Sequence, residues 1–190
     1  MTEFEKFEKL PRLSRGMVVS EKIDGTNAQV CITEEGEFLV GSRKRWITPD
    51  DDNFGFAKWA YEHEEELRCG LGFGRHYGEW WGMGIQRKYG LGERRFSLFN
   101  TGRWNADTPP PECCHVVPVL YDGPFTTDAV DAVLERLHSD GSAAAPGFMK
   151  PEGVVIYLSA ARKSFKKTLD HNDVHKFMAA KEDPRLAKAT

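Results

Sequence analysis

The sequence predicts an α+β fold built mostly of antiparallel sheets with flanking helices. Segments of alternating apolar and polar residues outnumber helical segments, they follow no regular strand–helix–strand rhythm, and no internal repeat is present. These observations disfavour a doubly wound parallel sheet. A chain of 190 residues is long enough to bury one continuous core, so we expect a single domain over residues 1–190.

Composition narrows the functional classes. The formal net charge of −3 argues against a protein that coats nucleic acid through a general basic surface. No apolar run approaches the roughly 20 residues that cross a bilayer, and the charged amino terminus lacks the pattern of a secretory leader, so we expect a cytoplasmic protein without a membrane partner. The cysteines lack CxxC spacing, which predicts reduced thiols at Cys31, Cys69, Cys113 and Cys114.

Three strands are predicted in the first part of the chain, at residues 17–21, 28–33 and 38–42, where apolar and polar side chains alternate. Turn residues lie between them at 24–25 and 34–36. We therefore expect these strands to form an antiparallel meander.

The middle of the chain changes to a helical period at residues 54–67. Glycines then interrupt the helical pattern, and three further strands are expected at residues 76–81, 94–100 and 115–121. In the first of these strands, alternation directs adjacent tryptophans to opposite sides, and packing in the core is the expected role of both.

The last part of the chain is predicted to contain one helix and two strands. Thr127 is a suitable N-cap for a helix that continues to about His138 with an apolar stripe and ends at Gly141. Small residues and prolines suggest a surface loop before a strand at residues 153–158. The final strand is expected at residues 165–169.

The segment Glu-Lys-Ile-Asp-Gly-Thr-Asn at residues 21–27 carries the most chemical information. Lys22 ends an apolar strand and precedes a tight turn, from which a lysine can project into a cleft. A deprotonated lysine is a compact nitrogen nucleophile. Thr26 and Asn27 could hydrogen-bond a ribose or phosphate. Taken alone, the segment is equally well an ordinary polar hairpin turn.

This segment resembles the KxDG nucleophile motif of the covalent nucleotidyltransferases, which comprise RNA ligases, DNA ligases and mRNA capping enzymes. The trailing Thr-Asn is most similar to the RNA ligase branch. Other motifs follow in the family's order, namely SRKR, YGEWWG, RFSLFN, PEGVVIY and FKKT. The resemblance covers residues 7–169, and KFEKLPRL resembles the amino-terminal region of phage RNA ligases. It implies an ATP-grasp-like nucleotidyltransferase (adenylation) domain and a minimal, phage-type enzyme in the host cytoplasm.

The resemblance implies that ATP donates AMP to Lys22, giving a lysyl-AMP intermediate, with Mg²⁺ or Mn²⁺ held by Glu152. The residues expected to bind the nucleotide are Glu21, Asn27, Arg43, Glu79, Phe99, Lys166 and Lys167. Within this set, Glu79 contacts the ribose hydroxyls and Phe99 stacks on the purine. Arg43 contacts the ribose or a phosphate, and Glu21 lies near the adenine. Each residue also has a plainer interpretation, as a surface charge or a core side chain.

Two positions depart from the family pattern. The family usually has an acidic residue after the stacking aromatic, and this chain has Asn100. The last motif usually has two lysines one residue apart, whereas Lys166 and Lys167 are adjacent. Strand alternation lets only one of the two face the nucleotide, and we favour Lys166.

The expected reaction joins 5′-phosphate and 3′-hydroxyl nucleic-acid ends, with RNA preferred. The sequence ends soon after FKKT, so we expect no appended oligonucleotide-binding domain, and an oligomer or partner protein could assist end recognition. The alternatives are a minimal DNA ligase or guanylyltransferase, a non-catalytic nucleotide- or RNA-end-binding protein, and a structural protein with coincidental motifs. His171 and His175 have helical spacing, but a surface helix end explains them better than a metal site.

Overall fold

The computed structural model describes residues 2–13 and 15–170. Strands and helices alternate irregularly along this part of the chain. In order, the elements are β1 (Gly16–Lys22), β2 (Thr26–Ile32), β3 (Phe38–Ser42), α1 (Phe56–Glu62), α2 (Glu64–Leu71), β4 (Gly74–Gly82), β5 (Arg94–Leu98), β6 (Cys114–Val116), β7 (Val119–Pro124), α3 (Thr127–Asp140), β8 (Gly153–Leu158) and β9 (Lys163–Thr168).

The strands form two sheets. One has four strands in the order β7-β1-β8-β9, and the other has five in the order β3-β2-β4-β5-β6. Among the described strands, β5 and β6 pair in parallel, and the other neighbours pair antiparallel. The predicted α+β class with mostly antiparallel sheets is confirmed.

The predicted meander of the first three strands is wrong. Both edges of β1 are hydrogen-bonded, one to β7 and the other to β8, so β1 has no edge left for β2. The turn at Asp24 and Gly25 therefore carries the chain from the four-stranded sheet to the five-stranded sheet. The pairing of β2 with β3 is antiparallel, as expected.

Two predicted elements are each divided in the structure. The helix expected at residues 54–67 is split at His63, which leaves helical geometry at φ −110° and ψ 17°. The strand expected at residues 115–121 becomes β6 and β7, which belong to different sheets. Pro118 lies between them; it lacks an N–H for a ladder, and its carbonyl accepts a hydrogen bond from the Glu21 N–H at 2.9 Å.

The helices cover the outer faces of the sheets. The apolar stripe of α3 packs on the side chains of β1 and β8 that point away from β2, and α1 and α2 pack on the five-stranded sheet. Each fully buried aliphatic side chain contributes on the order of 1.5–3 kcal/mol. The N-cap of α3 is Thr126 rather than the predicted Thr127, because the Thr126 hydroxyl accepts from the Ala129 N–H at 3.1 Å.

The tryptophan pair of β4 is buried on both sides, as predicted. Trp80 packs with the α1 and α2 core, and Trp81 packs with Ile23 and Tyr89 between the sheets. The cysteines are free thiols. In the part of the chain that the structure describes, no helix has the length and apolar character needed to span a membrane.

Candidate active site

A cleft of about 670 Å³ lies between the two sheets. The four-stranded sheet lines it with the alternate residues of β1 and with part of β8 and β9. The five-stranded sheet contributes residues of β2 and β4 and the segment that follows β5. The lining residues are Val18, Ser20, Glu21, Lys22, Ile23, Asn27, Glu79, Phe99, Asn100, Thr101, Gly102, Val117, Val155, Tyr157 and Ser164.

Lys22 lies at the end of β1 on the cleft wall. It pairs with Gly153 of β8, which brings the neighbouring Glu152 beside its side chain. The Lys22 Nζ donates to a Glu152 carboxylate oxygen at 2.6 Å, and the two side chains are only 25% and 16% exposed. The Lys22 amine thereby lies on the cleft wall beside a carboxylate.

The turn after Lys22 is held from several directions. The Asp24 N–H donates to the Tyr89 hydroxyl at 2.8 Å, and Arg87 Nε donates to the Asp24 carboxylate at 2.9 Å. At Gly25, a Cβ atom would lie 2.5 Å from the Trp80 carbonyl oxygen, so the close approach of the two chains requires glycine. The backbone that carries Lys22 is therefore rigidly placed.

Glu79 faces Lys22 from β4. Its carboxylate accepts from the Asn27 side-chain amide at 2.9 Å and from the Gly25 N–H at 3.1 Å. Burial raises the pKa of Glu79 to about 7, although these hydrogen bonds and the charge of Lys22 oppose the shift. The structure thus brings Asn27 and Glu79 together, as a site that offers carboxylate oxygens to hydroxyl donors.

Phe99 extends from the end of β5 into the cleft and is 43% exposed. Its backbone N–H donates to the Tyr77 carbonyl at 2.9 Å, which fixes the ring beside β4. An aromatic ring with an accessible face is suited to stacking on a planar base. Asn100 accepts from the Arg103 N–H at 3.1 Å and begins the turn that follows.

The two adjacent lysines of β9 lie on opposite faces, as alternation requires. Lys166 pairs with Val155, which lines the cleft, and shares a strand face with Ser164. Lys167 pairs with Val154, and its amine forms an ion pair with Asp131 of α3. Lys166 is therefore the lysine on the cleft side.

Of the two remaining predicted residues, Glu21 lines the cleft with its carboxylate already hydrogen-bonded, and Arg43 lies away from the cleft. Glu21 is buried, and its two carboxylate oxygens accept from the Ser142 hydroxyl at 2.5 Å and the Ala144 N–H at 2.9 Å. Burial raises its pKa, and the hydrogen bonds partly offset the shift. Arg43 is exposed in the turn after β3 and does not line the cleft. His171 and His175 lie outside the described residues.

Arg87 and Tyr89, which hold the turn after Lys22, were not predicted from the sequence. Besides Asp24, Arg87 donates to the Lys150 carbonyl at 3.0 Å and pairs with Asp170. It therefore joins three distant segments. The sequence shows basic residues around Arg87, but no sequence spacing connects them with Asp24.

The cleft carries two carboxylates that could bind a divalent metal, Glu79 and Glu152. Within residues 2–13 and 15–170, no group of three or more His, Cys, Asp or Glu residues is arranged to hold a metal ion. Glu152 and Glu79 nevertheless both face Lys22. Magnesium usually binds one or two carboxylates together with substrate phosphates and waters, so this donor set fits a metal that arrives with a nucleotide.

Comparison with known proteins gives a consistent picture. A family model described as RNA ligase matches residues 15–169. No curated protein gives a match. Solved structures of Naegleria gruberi RNA ligase share the fold. A mutant with AMP and Mn has a TM-score of 0.62 and 20% identity, and the alignment covers 86% of this chain and 53% of that chain.

Two further structures of the same Naegleria protein give similar values. A mutant with ATP and Mn has a TM-score of 0.61 at 20% identity, with 86% and 52% coverage of this chain and that chain. The structure with PPi has 0.59 at 21% identity, with 87% and 52% coverage. This chain spans about half the length of these proteins. Because the family model extends over most of the sequence, the chain belongs to the RNA ligase family.

Proposed function

We propose that this protein is an ATP-dependent RNA ligase that joins 5′-phosphate and 3′-hydroxyl ends through a lysyl-AMP intermediate. The observation that carries the proposal is Lys22, whose amine lies on the cleft wall 2.6 Å from Glu152. Opposite it, Glu79 and Phe99 offer a carboxylate and an aromatic ring of the kinds that bind a ribose and a purine.

In the proposed first step, the Lys22 Nζ attacks the α-phosphorus of ATP. A P–N bond forms, the bond from the α-phosphorus to the bridging oxygen breaks, and pyrophosphate leaves with that electron pair. The amine must be deprotonated before it can attack. Lys166, on the cleft face of β9, would neutralise charge on the phosphates.

Nucleotide recognition is assigned to the opposite wall. Phe99 stacks on the adenine, and Glu79 and Asn27 bind the ribose hydroxyls through the network that already joins them. The Glu21 carboxylate is hydrogen-bonded to the loop after α3, so its contribution to adenine binding would be indirect. Arg43, which is exposed near this wall, is better suited to a phosphate of the acceptor strand.

A divalent cation, Mg²⁺ or Mn²⁺, would be held by Glu152 and would supply charge neutralisation for the leaving pyrophosphate. The Naegleria gruberi RNA ligase structures with ATP and Mn, with AMP and Mn, and with PPi support the use of ATP and a divalent cation. The later steps follow from the same chemistry. AMP passes from Lys22 to a 5′-phosphate, and a 3′-hydroxyl then attacks that phosphate and releases AMP.

The test is incubation with ATP labelled on its α-phosphorus, with Mg²⁺ or Mn²⁺, followed by a denaturing gel. We expect label on the parent protein, none on Lys22→Ala, and transfer of label to a 5′-phosphorylated RNA. Lys6→Ala, in the exposed amino-terminal segment, is the matched lysine control and should label normally.

Absence of label with ATP still bound would overturn the ligase proposal in favour of a nucleotide-binding protein. Label derived from GTP rather than ATP would indicate guanylyltransferase chemistry, and transfer only to DNA would indicate a DNA ligase.

A further inference from the structure

A second, smaller cavity of about 210 Å³ adjoins the cleft. The two share Phe99 and Asn100 as a common wall. The cavity arises because β4 continues beyond its last pair with β5, Gly78 with Leu98, and the chain after β5 turns away at Asn100. The first residues of β4 are therefore left beside an open space.

The side chains around this space are aromatic and cationic. Tyr77 is 52% exposed, and Arg75 and Arg103 supply two guanidinium groups. Arg75 also lies over the Trp46 ring at 5.2 Å, and Arg103 lies over Trp104 at 4.5 Å. The proposed adenylation of Lys22 uses none of these residues.

Strand alternation connects this cavity to the active site. Tyr77 and Glu79 lie on the same face of β4, opposite Gln29 and Asn27 of β2. The same face continues to Arg75, whose guanidinium donates to the Gln29 side chain at 3.3 Å. A strand laid along β4 from the active site would thus meet Tyr77 first and Arg75 next.

We propose that this second cavity binds the terminal nucleotide of a single-stranded RNA substrate, with its base on Tyr77 and its phosphates near Arg75 and Arg103. This inference rests on the proposed ligase function. A base must be unpaired to enter such a cavity, so an end that is free of a duplex is the expected substrate. Stacking gives affinity without reading base edges, so little sequence preference is expected.

The chemistry of the lining favours a nucleotide over other occupants. Aromatic faces beside arginines are the usual platform for unpaired bases and their phosphates. The adjacent cleft is about three times larger than this cavity and contains the nucleophile, which leaves the smaller space for the second substrate. Phe99 then separates the adenine from the RNA base.

The experiment measures binding of a short, 5′-phosphorylated, single-stranded oligoribonucleotide to the full chain by fluorescence anisotropy. Tyr77→Ala should weaken binding by at least about fivefold, the lower end for loss of one stacked base. Tyr77→Phe keeps the ring and should restore near-parent affinity. Tyr61→Ala, a partly exposed tyrosine on α1, is the matched control and should leave RNA affinity unchanged.

Arg75→Ala tests the phosphate contact. We expect the slope of log affinity against log salt to fall by about 0.7, as for one phosphate lost on a single strand. Arg136→Ala, on α3 behind the other sheet, should leave the slope unchanged. Replacing the single strand by a blunt duplex should abolish the difference between the parent protein and Tyr77→Ala.

Labelling of Lys22 by ATP separates the two proposals. Suppose that the parent protein and Tyr77→Ala are labelled equally by ATP and also bind RNA with equal affinity. The second site is then overturned, while the ligase proposal stands. If the parent protein does not label at all, the ligase proposal fails first. Equal losses for Tyr77→Ala and Tyr77→Phe would also overturn the site, because the ring would then not be the cause.

Discussion

The two walls of the cleft use charge in different ways. On the four-stranded sheet, the Lys22 amine pairs with the Glu152 carboxylate in a partly exposed position. On the five-stranded sheet, the Glu79 carboxylate is buried and bound by neutral amide donors. Water screens the charges on the four-stranded sheet, so added salt should mainly weaken the charge interactions of that wall. Water is excluded from the Glu79 carboxylate on the five-stranded sheet, so a change of pH should mainly affect that wall.

This difference suits the two tasks that we propose for the walls. Phosphate chemistry needs cationic side chains that can exchange a protein carboxylate for a phosphate. Ribose and base recognition needs a preorganised surface whose geometry does not change. The comparison can be tested by changing one wall at a time.

The largest expected effect concerns the adjacent lysines of β9. Lys166→Ala removes the cleft-facing cation and should lower the rate of Lys22 adenylation by about 10²- to 10³-fold, as for loss of one preorganised transition-state contact. Lys167→Ala breaks an ion pair at the surface with Asp131 and should leave that rate close to the parent value. Single-turnover labelling measures both rates. Equal losses in the two variants would contradict the facing assigned to β9.

Glu79→Gln tests the buried wall through pH. Because the folded protein raises the pKa of Glu79 from 4.5 to about 7, it binds this proton more tightly than the unfolded chain does. The stabilisation is fully present below pH 4.5 and is lost as pH rises through 7. The parent should therefore lose up to about 3 kcal/mol of unfolding free energy relative to Glu79→Gln over this interval.

Urea unfolding of both proteins at several pH values measures that difference. Titrating groups that do not interact with Glu79 cancel because both proteins contain them. A difference that stays constant with pH would mean that the Glu79 carboxylate is solvated, and the contrast between the two walls would fail.

The contacts at the seam between the walls should have a smaller effect. Tyr89→Phe removes the hydroxyl that accepts the Asp24 N–H, which leaves a partly buried donor unsatisfied and should cost about 1–3 kcal/mol. Tyr121→Phe is the control, because its hydroxyl donates to the Pro124 carbonyl at an exposed position. Chemical denaturation compares the two. Equal small losses would show that the turn after Lys22 does not depend on Tyr89.

The sequence predicted local features better than long-range ones. The strands predicted at residues 38–42 and 153–158 have the observed bounds of β3 and β8, and the motif resemblance singled out Lys22 and Glu152, which the fold brings together. The sequence could not show that β1 and β2 belong to different sheets, because strand pairing depends on which edges distant strands occupy. Arg87 was missed for the same reason, since its partners are remote in sequence.

The first residues of the helices were also difficult to predict, because they depend on contacts and backbone geometry that the local pattern does not show. Asp52 accepts from the Ala57 and Lys58 N–H groups at 2.8 and 3.0 Å, and so binds the first turn of α1 from outside the predicted helix. In α3, the N-cap is Thr126 and not the predicted Thr127. The choice depends on backbone geometry, and Thr126 is extended at φ −142° and ψ 148°.

The smallest expected effect follows from that cap. Thr126→Ala removes the hydroxyl that accepts the Ala129 N–H and should cost about 1 kcal/mol of unfolding free energy. Thr127→Ala, inside the helix, should cost less, because alanine has the higher helix propensity and no cap is lost. Since α3 covers the back of the four-stranded sheet, the loss should leave the buried Glu79 network intact. A pH profile of unfolding for Thr126→Ala that runs parallel to the parent profile would support this independence, whereas a changed profile would mean that the two walls are energetically coupled.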